Sequence, residues 1–408
     1  MTKFPLKDID QLPVWRRPVA LLVLASIAVP IAFSTWLALL NNFVIEVAGF
    51  DGADIGLLHT IREIPGFLAI GVAAVLLIMR EQVLAMVSLL LLIVATAVTG
   101  FFPSLGGILL VTFISSVGFH YFETVNHSLQ LQWLPKDKAP QILGWLAAVG
   151  SVATLVAYVA IVMTWERFGL QYTEVFLISG GVAAVIALYC VFAFPQFESD
   201  VVQRKSIVLR RRYWLYYALE FLAGARRQIF VVFAGFMMVE KYGFAVHEIT
   251  ALYLVNLIAN IVLAPLAGKA IAHFGERTAL VFEYAGLALV FFAYAGLYVY
   301  GWGVWLAMAL YIVDHMLFAL RMALKTYFQK IANPADIATS AAVTFTINHI
   351  AAVFLPVLLG LLWIVDPAMV FGTASVIACG SLALSFLLPR HPAPGRETRF
   401  SSGAVPAE

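Results

Sequence analysis

GGILLVTFISSVGFHYFETVNHSLQLQW, Gly106–Trp133, is long and apolar enough to cross a bilayer, yet it carries His120, Glu123 and His127. A spanning helix needs about 20 apolar residues. A charge at the bilayer centre costs about 2.5–3.5 kcal/mol even on the lenient insertion scale, so ionisable groups persist there only where they face a bundle interior or a watery cavity. The stretch therefore reads as one helix of a polytopic bundle built around a polar path. Other apolar runs give the same signal: His59, Arg62 and Glu63; Glu220, Arg226 and Arg227; Asp314, His315, Arg321 and Lys325; and His349.

Composition agrees. The 408 residues are 62% hydrophobic and 12% charged, against about 25% charged in soluble proteins, so most of the chain must lie in lipid. Apolar runs predict twelve spans, at 18–42, 54–79, 83–101, 106–133, 141–164, 171–195, 213–239, 248–272, 277–300, 302–330, 337–364 and 367–388. No sizeable soluble domain fits beside them. The polar first 17 residues precede a run too long for a signal-peptide core, which predicts a retained first helix. Cys190 and Cys379 sit in apolar runs and offer neither a disulfide framework nor a zinc ribbon.

Charge sidedness sets the orientation. With the N-terminus inside, one side receives Lys3, Lys7, Arg16, Arg17, Arg80, Lys136, Lys138, Arg204, Lys205, Arg210, Arg211, Arg212, Lys330, Arg390, Arg396 and Arg399. The other holds mostly Glu46, Asp51, Asp54, Glu166, Glu240, Glu248 and Asp366. Positive charge stays cytoplasmic, so both termini are expected inside, in the inner membrane if the source is bacterial. Trp165, Trp302, Trp305 and Trp363 are expected at the outer interface, with Asn41 and Asn42 closing the first helix near it. The longest polar loop, 196–212, divides six spans from six. The expected organisation is a cytoplasmic segment 1–17, bundles 18–195 and 213–388 joined by that linker, and a disordered tail 389–408. A faint repeat places Pro135 and Pro334 at corresponding turns.

Helical spacing groups the polar residues. His120, Glu123, His127 and Gln130, at intervals of three, four and three, share one stripe. They suit a proton relay or, as imidazole plus carboxylate, a site for Zn, Mn or Fe. His59, Arg62 and Glu63 share a face just before Pro65 and Gly66, and predict an outer gate or structural ion pair. Glu220 and Arg227 share a face, with Arg226 turned away by about 100°. Asp314, Arg321 and Lys325 share a narrow face, with His315 beside Asp314. Arginine is permanently charged and forks onto carboxylates and phosphates, so Arg226, Arg227 and Arg321, with His349, are expected to bind substrate. His120, Glu123, His127, Glu220, Asp314 and His315 are expected to couple protons. Glu283 is expected only to cap or pair with a loop.

GKAIAHFGER, Gly268–Arg277, between the eighth and ninth spans, resembles the cytoplasmic loop motif of the major facilitator superfamily. Gly268, Gly275 and Arg277 match it. Ala272 stands where the family has aspartate, and LIMREQ after the second span lacks the glycines. The resemblance covers about 18–388. It implies an all-α fold of two six-helix repeats in which the first, fourth, seventh and tenth helices line a cavity and the third, sixth, ninth and twelfth face lipid.

The function expected is a secondary transporter, not an enzyme, moving a small solute by alternating access. Four cavity arginines, counting Arg62, favour a small organic anion, and the histidines beside Glu123 and Asp314 favour proton coupling. A transition metal or metal chelate is the alternative, and a non-transporting assembly factor of the same fold a further one. No P-loop pattern occurs, so ATP is not expected to drive it. The partners expected are the solute, protons and the bilayer, for a monomer that uses no cofactor and binds no nucleic acid.

Overall fold

The computed structural model describes residues 3–68, 71–76, 78–134, 139–198, 209–332 and 337–401. The helices are α1 (Pro18–Asn42), α2 (Gly52–Phe67), α3 (Gly71–Val75), α4 (Glu81–Val98), α5 (Leu105–Trp133), α6 (Ala139–Phe168), α7 (Tyr172–Ala193) and α8 (Trp214–Ile229). They continue as α9 (Gly235–Glu240), α10 (Val246–Phe274), α11 (Glu276–Val299), α12 (Val304–Phe318), α13 (Met322–Ile331), α14 (Ile337–Val365) and α15 (Pro367–Ser385). Among the described residues, eleven segments are long and apolar enough to span a membrane. The remaining expected span is represented by α2 and α3. The protein is an all-α polytopic membrane protein, consistent with twelve spans.

Two expected single helices are broken in mid-span. After α8 the chain makes a π-helical turn, Phe230–Ala234, before α9. After α12 it makes a 3-10 turn, Ala319–Arg321, before α13. Such turns interrupt the regular hydrogen-bond ladder and re-aim the side chains beyond them.

The chain divides into two compact units. One comprises Met1–Phe50, Ile61–Arg204 and Phe244–Leu254; the other comprises Asp51–Thr60, Lys205–Gly243 and Val255–Glu408. They differ from the expected halves by two exchanged segments.

In the first unit, Phe244–Leu254 is held by Asn42, whose Nδ2 donates to the Phe244 carbonyl at 2.6 Å. His247 Nε2 lies 3.5 Å from Glu166 Oε1. Asn42 is fully buried. The core gathers Leu21, Leu89, Phe122, Trp133, Phe194 and Phe197. The polar N-terminus is not a bare tail: β1 (Lys3–Pro5) pairs in parallel with β2 (Gln196–Glu198). Gln82 bridges this ribbon to α4, donating to the Pro195 carbonyl at 2.8 Å and accepting from Phe197 N–H at 2.9 Å.

In the second unit, the start of α2 packs against α14. A Cβ on Gly56 would strike the Pro356 carbonyl oxygen, and one on Gly360 would lie 3.1 Å from the Cα of Gly56. Pro356 interrupts the ladder of α14, since proline has no N–H and its ring crowds the preceding turn. Thr60 repairs the break. Its hydroxyl donates to the Val353 carbonyl at 2.8 Å and accepts from Val357 N–H at 3.2 Å. Trp363 is buried, stacks on Phe233 at 5.3 Å and donates to Glu240 Oε2 at 3.0 Å.

The tail expected to be disordered is placed as far as Ser401. Ala393 bridges Arg396, the Arg399 N–H donates to the Leu387 carbonyl at 2.8 Å, and the Tyr327 hydroxyl donates to the Glu397 carbonyl. The tail's backbone groups thus find partners on the helices they follow. Lys136, Lys138, Arg204, Lys205 and the proline pair Pro135 and Pro334 lie outside the described residues.

Thr60→Val is expected to lower the thermal unfolding temperature in detergent, at a cost of about 1–3 kcal/mol for the unsatisfied backbone groups. Thr60→Ser should retain most of the stability. Equal losses in both variants would show that the methyl group, not the hydroxyl, supports α14.

Candidate functional site

In the second unit, α8, α11, α12 and the 3-10 turn after it bring six ionisable groups into apolar surroundings. Glu220, Arg226 and Arg227 come from α8, Glu283 from α11, Asp314 from α12 and Arg321 from the turn. Arg321 Nη2 meets Glu220 Oε2 at 3.1 Å. Arg226 Nη2 lies 3.9 Å from Glu283 Oε1, and its guanidinium carbon sits 4.3 Å from the centre of the Tyr284 ring. Arg227 Nη2 donates to Asn348 Oδ1 at 3.1 Å on α14. Gly224 permits this approach: a Cβ there would come within 3.0 Å of the Asn348 side chain.

Arg226, Arg227, Asp314 and His315 line a cavity of about 140 Å³ whose apolar walls include Phe230 and Phe318. Arg226, Glu283 and Asp314 are 3%, 1% and 3% exposed. Even so, Arg226 Nε and Nη1, Glu283 Oε2 and Asp314 Oδ2 have no hydrogen-bond partner among the described residues. A buried unpaired polar atom costs about 1–3 kcal/mol, more when charged. The cluster is therefore under-satisfied at the point where it meets open space.

The expected helix faces are realised only in part. Glu220 pairs with Arg321, and Arg227 donates to Asn348. The turn at Ala319–Arg321 separates Arg321 from Asp314, so Arg321 turns to Glu220 while Asp314 faces the cavity. Lys325 is exposed, and His349 is buried next to Asn348. Glu283 is a correction: it is enclosed rather than capping or pairing with a loop. The signal was present, because Glu283 is the one carboxylate inside the ninth apolar run.

The first unit holds a separate polar set. Arg62 Nη2 and Glu63 Oε1 pair at 2.6 Å, and the Ser116 hydroxyl donates to the Arg62 carbonyl. Glu63 and His120 are both buried, with a carboxylate oxygen and an imidazole nitrogen within 4.8 Å of each other. Their neighbours on the α5 stripe diverge. Glu123, Asn126 and Gln130 line a second cavity of about 270 Å³ with Ser26 of α1. His127 is exposed. His120, Glu123 and His127 thus do not form one cluster. His59 is buried on the same helix, α2, one turn before Arg62 and Glu63.

The loop motif falls as expected between α10 and α11. Gly268 is within α10, Gly275 adopts φ 81°, and Arg277 lies 5.9 Å from the Phe386 ring. Spacing did not reveal its ion pair, Glu276 Oε1 to Lys330 Nζ at 2.6 Å.

The family model of the Major Facilitator Superfamily matches residues 21–356. The chain belongs to the Major Facilitator Superfamily. As a member it is a membrane transporter, not an enzyme. No curated protein matches it in sequence. Solved structures with a similar fold include a mutant of the nucleoside transporter NupG, at TM-score 0.74 and 14% identity, covering 90% of this chain and 99% of that one. A bacterial homologue of the iron transporter ferroportin, inward-facing, aligns at TM-score 0.70 and 10% identity over 90% and 97%. A bacterial homologue of the human lysosomal transporter Spinster, inward-facing and occupied, aligns at 0.66 and 13% over 90% and 95%. At these identities the likeness is one of fold. The superfamily's expected lipid-facing ninth span is here the one that carries the buried Glu283.

Replacing Glu220 with Gln is expected to destabilise this transporter by about 3–5 kcal/mol, because Arg321 is left as an uncompensated, mostly buried charge. The double variant Glu220→Gln/Arg321→Gln should recover much of that loss. Additive losses in a double-mutant cycle of thermal unfolding would show that the two side chains are not coupled.

Proposed function

We propose that the chain is a proton-coupled carrier of a small organic anion, held at Arg226 and Arg227, with the proton taken by Asp314 and passed through His315. The observation that carries this reading is the cavity lined by all four side chains. Around it, among the described residues, stand three arginines (Arg226, Arg227, Arg321) and three carboxylates (Glu220, Glu283, Asp314).

With every group ionised the six charges cancel. An anion entering alone would leave one uncompensated negative charge in apolar surroundings, an effective cost of several kcal/mol. A proton entering with it restores neutrality. The empty and doubly loaded forms are both neutral, whereas each singly loaded form carries net charge. That asymmetry couples the two ligands, because each lowers the cost of binding the other. Histidine titrates near neutral pH and suits the delivery of the proton. Arg321, already occupied by Glu220, serves as a staple rather than as a ligand. The rings of Phe230 and Phe318 favour an anion with an apolar or planar body. The cycle is alternating access about a mid-membrane site, with both termini cytoplasmic as charge sidedness implies.

The test is uptake of benzoate, propionate and phosphate into proteoliposomes, with and without an imposed pH gradient. Benzoate or propionate should enter faster when the gradient is inward for protons. Arg227→Ala should reduce that uptake more than about tenfold, the scale of a lost charge-assisted bond of about 1.5–3 kcal/mol. Uptake insensitive to the gradient removes the proton from the mechanism, and uptake unchanged in Arg227→Ala removes the site.

The Glu63–His120 pair supports a second reading, transport of a first-row divalent metal, since imidazole and carboxylate are suitable ligands. A thermal shift with Mn²⁺ or Zn²⁺ that is lost in His120→Ala and retained in Arg227→Ala would replace the anion reading.

A further inference from the structure

We propose that Glu283, on α11 and outside the cavity lining, is a second seat for a proton, and that its protonation frees Arg226, which already lines the cavity, to bind an anion. This deepens the anion-carrier reading in its transport consequence and stands apart from it in its chemistry.

Three side chains carry the argument. Arg226 lines the cavity; Glu283 does not. Their closest approach of 3.9 Å is long for a charge-assisted bond, which is usually about 2.7–2.9 Å. Arg226 Nε and Nη1, Glu283 Oε2 and, across the cavity wall, Asp314 Oδ2 all lack partners among the described residues, and the three side chains are nearly fully buried. The Arg226 guanidinium thus approaches Glu283 only at 3.9 Å and shares the cavity lining with Asp314. Two carboxylates sharing one cation in a low dielectric do not both ionise at full cost; a proton on either relieves the pair.

The other groups facing this cluster do not compete for the role. Glu220 is held by Arg321 at 3.1 Å. Tyr284 offers its ring face to Arg226. His315 is on the cavity side. Lys325 and Lys330 of α13 are exposed, and Lys330 is paired with Glu276. The α15 helix packed on α11 contributes no Asp, Glu, Lys, Arg or His. With Asp314 on the cavity side, Glu283 is thus the carboxylate behind Arg226 whose charge state decides how far the guanidinium is available to a solute. Ionised, it competes with the solute for the guanidinium. Protonated, it lets the guanidinium serve an anion.

The test begins without any substrate. The full-length protein is titrated with pH while the infrared carbonyl band of buried protonated carboxyl groups is recorded, in wild type, Asp314→Asn and Asp314→Asn/Glu283→Gln. A titrating band should survive in Asp314→Asn and lose intensity in the double variant. Identical spectra in those two proteins overturn the proposal. Should the double variant fail to assemble, Glu283→Asp in the wild-type background serves instead: the titrating band should shift in position, and an unshifted band overturns the proposal.

A second arm uses benzoate uptake in proteoliposomes. Glu283→Gln should lower KM about tenfold at the alkaline end of the pH range, a typical size for coupling between two ligands, and flatten the pH dependence of KM. A purely structural role would leave the pH profile in place. If benzoate is not transported at all, the anion reading fails while the infrared arm still decides the proton seat.

Discussion

Everything in the second unit depends on charge balance in a medium that does not solvate charge. Three arginines and three carboxylates are embedded in helices that otherwise read as lipid-compatible. Such groups persist only as a neutral set, because an unmatched charge costs several kcal/mol after relaxation. The helix breaks follow from that demand. A regular helix through 302–330 would keep Asp314 and Arg321 on one narrow face; the turn at Ala319–Arg321 instead gives Arg321 to Glu220 and leaves Asp314 at the cavity.

The remaining architecture is arranged to hold these side chains still. In lipid there is little hydrophobic driving force between helices, so close packing and polar contacts supply cohesion. Gly224 lets α8 approach Asn348, and Asn348 in turn orients Arg227. Gly56 and Gly360 let the start of α2 reach α14 closely enough for Thr60 to mend the break at Pro356. The stacked rings of Tyr216 and Phe328, 4.2 Å apart, brace the adjoining core. Each contact is small, and together they fix which way the guanidinium groups point.

Much of this was legible in the sequence. Hydropathy located the spans, because length and apolar content are local properties. The cost of intramembrane charge picked out Arg226, Arg227, Asp314 and His315, which share one cavity. Their partners were not legible. Spacing along a helix tells which side chains share a face but not which neighbour that face meets, so Glu220 was grouped with Arg227 rather than Arg321, and His120 with Glu123 rather than Glu63. Trp363 has the composition of an interface anchor and the surroundings of a core residue. Glu283 was discounted for its depth near one end of a span, although enclosure by neighbouring helices, not depth alone, decides whether a carboxylate meets water.

The ribbon of β1 and β2 bears on how the protein is made. Lys3 pairs with Gln196, so the first strand synthesised finds its partner only after nearly the whole first unit has been translated. Until then its backbone groups must stay with water, and Gln82 lacks the Pro195 and Phe197 contacts that tie it to the ribbon. Pairing so distant in sequence forms late, because the chain must close a long loop before the contact repays it. The ribbon thus marks a late stage of the first unit, after which only Phe244–Leu254 has still to dock: a nascent chain that stops short of residue 196 has most of the unit's helices but cannot fasten its first strand.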